Sequence, residues 1–117
     1  MIRTKSVYEP KRPDDGYRIL IEPHWPKGLP RGKEAAADWM RELYPSGNLR
    51  DWMRRNPRKG DSFRDSYLLE LAYKEAAVEK VCRMHRERGN VTILTVESEG
   101  PFDIHETLAE YLRAMCD

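Results

Sequence analysis

Three features predict an α/β fold: a small, mainly parallel sheet under helices. Two short runs, "YRILIE" at Tyr17–Glu22 and "VTILTV" at Val91–Val96, are apolar almost throughout, as strands covered on both faces are. Long stretches of helical periodicity separate them, so the two are expected to be parallel neighbours joined by a crossover. With 117 residues the chain has the length of one domain with one core, and 1–117 is read as a single unit.

The elements follow in order. From Ile2 to Tyr8 the chain alternates, with Ile2, Thr4, Ser6 and Tyr8 on one face and Arg3, Lys5 and Val7 on the other. "EPKRPDDG" breaks this strand, because two prolines and an Asp-Gly pair favour a turn. Gly16 and Pro23 bound the second strand. Ala35, Ala36, Trp39, Met40 and Leu43 then recur at helical spacing until "YPSG", which predicts a helix over 35–43. Ser46 is placed to cap a short helix carrying Leu49, Trp52 and Met53, ended by "NPRKG". Asp61 is the expected cap of a long helix. Its stripe of Phe63, Tyr67, Leu68, Leu71, Val78, Val81, Cys82 and His85 runs to Gly89, with room for a bend at 73–75. The third strand at Val91–Val96 precedes a last helix from His105 to Met115. The resulting order is β-β-α-α-α-β-α, about three strands and about four helices. The core is assigned to Ile19, Ile21, Trp39, Trp52, Phe63, Tyr67, Leu71, Ile93 and Leu94.

Composition narrows the function classes. Apolar residues are 39% of the chain and charged ones 35%, the balance of a folded domain with a charged surface. A net charge of +1 argues against binding nucleic acid or membrane by bulk charge and leaves only local patches. No run approaches the roughly 18 apolar residues of a membrane span, and "MIRTKSVYEPK" has no apolar signal core, so a cytoplasmic protein without a membrane partner is expected. Cys82 and Cys116 are read as reduced, structural thiols. No metal or other cofactor is expected: His24, His85 and His105 lack ligand spacing, and the glycines of "KGLPRGK" form no phosphate loop.

"TKSVYEP", "DGYRILIEPHWPKGL", "YPSGNLRDW" and "VTILTVESEGPFDIHETLAEYL" together resemble the YeaO-like branch of a domain-of-unknown-function family, in motif order and over nearly the whole chain. That resemblance implies the α/β fold but no assigned activity. The family's Asp-Arg-Leu-Trp-Pro-Arg-Gly segment is matched by Glu22, Pro23, His24, Trp25, Pro26, Lys27 and Gly28, so its Asp-Arg pair is replaced. Wider relatives carry Cys-His-Arg near the last helix, where this chain has Ile104, His105 and Glu106 and thus no thiol nucleophile.

In parallel sheets, ligands collect beyond the carboxyl ends of the strands, and "EPHWPKG" and "ESEGPFDIH" are both expected there. Glu22, His24 and His105 are the candidate catalytic groups, since a carboxylate fixes an imidazole's tautomer for acid–base work. Arg18, Trp25, Lys27, Glu97 and Ser98 are the candidate ligand contacts, two cations and a stacking face suited to a small anionic ligand of unspecified identity. The alternative is a nucleic-acid or protein-binding module that uses Arg50, Arg54, Arg55, Arg58 and Lys59 around Trp52. His85 is read as a partly buried residue of the helical stripe. Oligomeric state is left open.

Overall fold

The computed structural model describes residues 1–96 and 102–116. Four parallel strands, β1 (Ile2–Ser6), β2 (Tyr17–Leu20), β3 (Asp38–Trp39) and β4 (Val91–Thr95), form one sheet in the order β1-β4-β2-β3. Four helices follow the third strand or the fourth: α1 (Gly47–Arg55), α2 (Gly60–Ala72), α3 (Glu75–Arg88) and α4 (Ile104–Met115). As expected, the two apolar strands are parallel neighbours, with Ile19 opposite Ile93 and Leu20 opposite Leu94. None of the described helices is long and apolar enough to cross a membrane.

Strand alternation divides the apolar side chains between two layers. Ile2, Tyr17, Ile19, Val91 and Ile93 face all four helices and pack with Leu43, Leu49, Phe63, Tyr67, Leu71, Val81, Leu108 and Leu112. The other face carries a smaller cluster of Val7, Leu20, Ala36 and Leu94, closed by Trp25, Leu29, Trp39 and Val96. Here the cover is irregular chain, the segment from Glu22 to Ala37. The Trp25 indole N–H donates to the Leu29 carbonyl at 2.8 Å, and its ring meets Trp39 edge-on at 5.2 Å. Trp39 in turn donates to the Glu22 carbonyl at 2.7 Å. Prolines and tryptophans stand together after β2 because a rigid, apolar plug closes this face of the sheet.

Three expectations are corrected. The stretch 35–43 is not a helix: Asp38–Trp39 is the edge strand β3, and Arg41–Leu43 is a single 3₁₀ turn. A nine-residue helix is marginal in isolation, and here backbone pairing outcompetes it, with Ala37 N–H donating to Arg18 and Met40 N–H to Leu20. Met40 thereby reaches the helical layer while Trp39 serves the opposite face, half-buried. The long helix is two helices. The chain closes with 3₁₀-type bonds at Tyr73 and Lys74, leaving Tyr73 82% exposed, and restarts at Glu75. Finally, Cys82 and Cys116 are not free thiols but a disulfide, their Cα atoms 4.8 Å apart where α3 packs against the end of α4.

Local signals explain the ends of the elements. The Ser46 hydroxyl accepts the Leu49 N–H at 3.1 Å and starts α1, as predicted. Asp61 lies in the first turn of α2, whose cap position is Lys59. Asp103 caps α4 by accepting the Glu106 N–H. Gly16, at φ +65°, sits so close to the next strand's approach that an added Cβ would lie 2.2 Å from the Asn90 carbonyl oxygen. Only glycine fits this entry to β2.

Candidate functional site

Beyond the carboxyl ends of β2 and β3 the chain makes two turns that converge. One is Glu22–Pro23. The other is the 3₁₀ turn leading through Tyr44 and Pro45 into α1. His105, in the first turn of α4, is brought to the same end, and its Nε2 pairs with the Glu22 carboxylate. The imidazole is buried, 2% exposed for the residue as a whole. This Glu22–His105 pair is the part of the predicted constellation that the fold assembles.

Tyr44 links the pair to the surface. Its ring meets that of His105 edge-on at 6.4 Å, and the Arg50 guanidinium lies over the ring, 5.4 Å from the centroid. Burial, reinforced by the Glu22 charge, pushes the Tyr44 hydroxyl above the ordinary phenol range, so it is protonated at neutral pH.

Outside Tyr44 opens a cleft of about 480 Å³. Its walls are Pro23 and the turn Arg41–Tyr44 on one side, the start of α1 from Ser46 to Arg50 on another, and Glu70, Tyr73 and Lys74 of the α2–α3 corner. Arg41, Arg50 and Lys74 supply three cations against the carboxylates of Glu42 and Glu70. The positive end of the α1 dipole points into the same space. Glu70 already satisfies part of it: its carboxylate accepts the Ser46 backbone N–H at 2.9 Å and the Ser46 hydroxyl at 2.5 Å. The start of α1 therefore holds a carboxylate within the chain itself, and Arg50 and Lys74 stand beside it.

The remaining sequence candidates are dispersed. Arg18 is buried on the opposite side of the sheet. It donates to Asp15 at 2.6 Å and to the Ala35 carbonyl at 2.9 Å. Lys5 joins the same carboxylate at 2.9 Å. Burial pushes the Asp15 carboxyl up, but Lys5, the Arg12 N–H and Arg18 outweigh it and hold the group at about 2. Trp25 belongs to the plug, and His24 and Lys27 are exposed on it. Glu97 and Ser98 lie outside the described residues.

Of the basic cluster, Arg50 turns inward to Tyr44 and to the Pro45 carbonyl, and Arg54 pairs with Asp51. Arg55, Arg58 and Lys59 are exposed at the end of α1. Trp52 is half-buried against the helical layer. His85, half-buried, approaches the Met1 amino nitrogen at 3.1 Å.

Sequence reasoning missed Arg41, Tyr44, Glu70 and Lys74. In the sequence Arg41 and Glu70 read as helix interior, Tyr44 as part of the stop at "YPSG" and Lys74 as part of a bend. "YPSG" was the available signal, since a helix start after a Pro-Ser turn marks a potential anion site.

A four-stranded parallel sheet with four helices on one face and a cleft past its strand ends defines a small α/β domain. The chain belongs to the DUF488-N3i family, the inactive DUF488-N3 subclade, which it matches over residues 1–117. It is similar to the uncharacterized protein YeaO of Escherichia coli K12, 31% identical over 114 residues, 97% of this chain and 98% of the relative. Uncharacterized proteins of Mycobacterium bovis and Mycobacterium tuberculosis are 36% identical over 70 residues, 60% of this chain. That match spans 59% of the mycobacterial relatives' length. No solved structure matches the chain.

Proposed function

We propose that this domain binds a small anionic ligand, with phosphate or carboxylate as its recognised group, in the cleft past the ends of β2 and β3, and that it does so without turnover. One observation carries the reading: Arg41, Arg50 and Lys74 surround the start of α1, whose Ser46 N–H and hydroxyl already hold a carboxylate. With Ser46 engaged by Glu70, the Arg41, Arg50 and Lys74 side chains that line the cleft are the groups to meet an external anion, by charge-assisted hydrogen bonds.

Binding is favoured over catalysis for two reasons. Both cysteines are tied in the disulfide, leaving no free thiol among the described residues. The matched subclade is itself described as inactive. The Glu22–His105 pair then acts as a clamp, fixing Tyr44 as the inner wall of the cleft.

Thermal shift against inorganic phosphate, nucleotides and phosphorylated metabolites tests this. Ligand at a hundred times its dissociation constant should stabilise by about 2.7 kcal/mol, and the Arg41→Ala/Arg50→Ala variant should lose the shift. A shift produced only by oligonucleotides and weakened steeply by salt would overturn the reading in favour of the exposed Arg55–Lys59 corner.

A further inference from the structure

The disulfide has two different surroundings. On the Cys82 side lies a cavity of about 420 Å³ between α3 and α4, walled by Leu71, Val78 and Tyr111 and carrying the carboxylates Glu75 and Glu79. On the Cys116 side lies a separate cavity of about 270 Å³, lined by Met1, Ile2, His85, Arg113 and Cys116. Among the described residues, no carboxylate lines this second cavity. Arg113 is held at its rim, with Nε donating to the Ile2 carbonyl at 2.8 Å and Nη1 paired with Glu106, also at 2.8 Å. Both sulfurs belong to residues that are nearly buried, 3% exposed for Cys82 and 7% for Cys116, so access runs through these cavities.

Thiol–disulfide exchange needs a thiolate to approach along one of these two paths. An anionic thiol is repelled by Glu75 and Glu79 and attracted by Arg113 and the Met1 amino group. We propose that Cys82–Cys116 is a thiol-exchange site at which a small anionic monothiol adds to Cys116. The incoming thiolate attacks the Cys116 sulfur and forms a mixed disulfide there. The Cys82–Cys116 bond breaks, and its electron pair leaves on the Cys82 sulfur, which takes a proton. A second monothiolate then attacks the thiol-derived sulfur of the mixed disulfide, releasing the oxidised dimer of the small thiol and leaving Cys116 as a thiolate. Two electrons pass from two monothiols to the protein. The last turn of α4 is released from α3, while Val78 and Val81 keep α3 in the core.

Glutathione is the probe. The air-oxidised protein, held at native pH with graded reduced glutathione, is quenched with an alkylating agent and mapped by mass spectrometry. The expected intermediate carries one glutathione on Cys116, and Arg113→Ala slows its formation several-fold. As a second arm, the single-cysteine variants are exposed to oxidised glutathione. Cys116 in Cys82→Ser should be modified about tenfold faster than Cys82 in Cys116→Ser, by its cationic and more open setting. Glutathione found on Cys82, a disulfide that resists excess thiol until the chain unfolds, or equal rates in the two variants would each overturn the proposal.

Discussion

Asp15 shows how one residue organises a face of this molecule. Almost fully buried, it gathers Lys5, Arg18 and the Arg12 N–H, and Arg3 stands 3.6 Å away. Its carboxyl is held at about 2, below the usual 3.8 of an unfolded chain. A group whose folded pKa is depressed stabilises fully above the unfolded value, and that stabilisation is lost as pH falls through the folded one. The fold should therefore weaken between about pH 4 and pH 2, and Asp15→Asn should flatten that part of an acid-unfolding curve while lowering stability at pH 7. Circular dichroism against pH checks both. "PDDGYR" promised only a turn, because the partners of Asp15 come from β1 and β2, and nothing local in the sequence pairs them. Arg18 was assigned to a ligand for the same reason: its carboxylate lies three residues away, but the inward turn of both side chains depends on the sheet.

Elements were legible where one signal dominated. Ser46 announced α1, and the apolar runs announced β2 and β4. Where two signals competed, context decided. Ala35, Ala36 and Trp39 had helical spacing, yet the free edge of β2 drew that segment into β3. The stripe from Phe63 to His85 reads as one helix because α2 and α3 bury their faces in the same core, and the bend expected at 73–75 was the one trace of the corner at Tyr73–Lys74. That corner matters, since it delivers Glu70 and Lys74 to the start of α1. Ser46→Ala removes the cap and the hydroxyl partner of Glu70 together. It should cost about 1 kcal/mol, read as a lowered midpoint in urea with an unchanged slope. It should also loosen the carboxylate from the cleft.

On the scale of the whole molecule, the asymmetry of the sheet sets the geography of function. All four helices crowd one face, and the other is closed by a proline- and tryptophan-rich plug. The strand ends between these covers are left to short turns and to the helix start. The sequence placed a site at those ends by the general rule for parallel sheets, and it named Glu22 and His105, which the fold brings together. It missed the cationic rim because Arg41 and Lys74 are ordinary surface residues until the chain turns beneath them. The most direct measurement is a titration of the isotope-labelled protein with inorganic phosphate, followed by amide chemical shifts. Binding in the cleft predicts saturable changes concentrated at Ser46, Gly47, Arg50 and Lys74, absent in Arg41→Ala/Arg50→Ala. Changes confined to Arg55–Lys59, or none at concentrations where phosphate stabilises the protein, would contradict it.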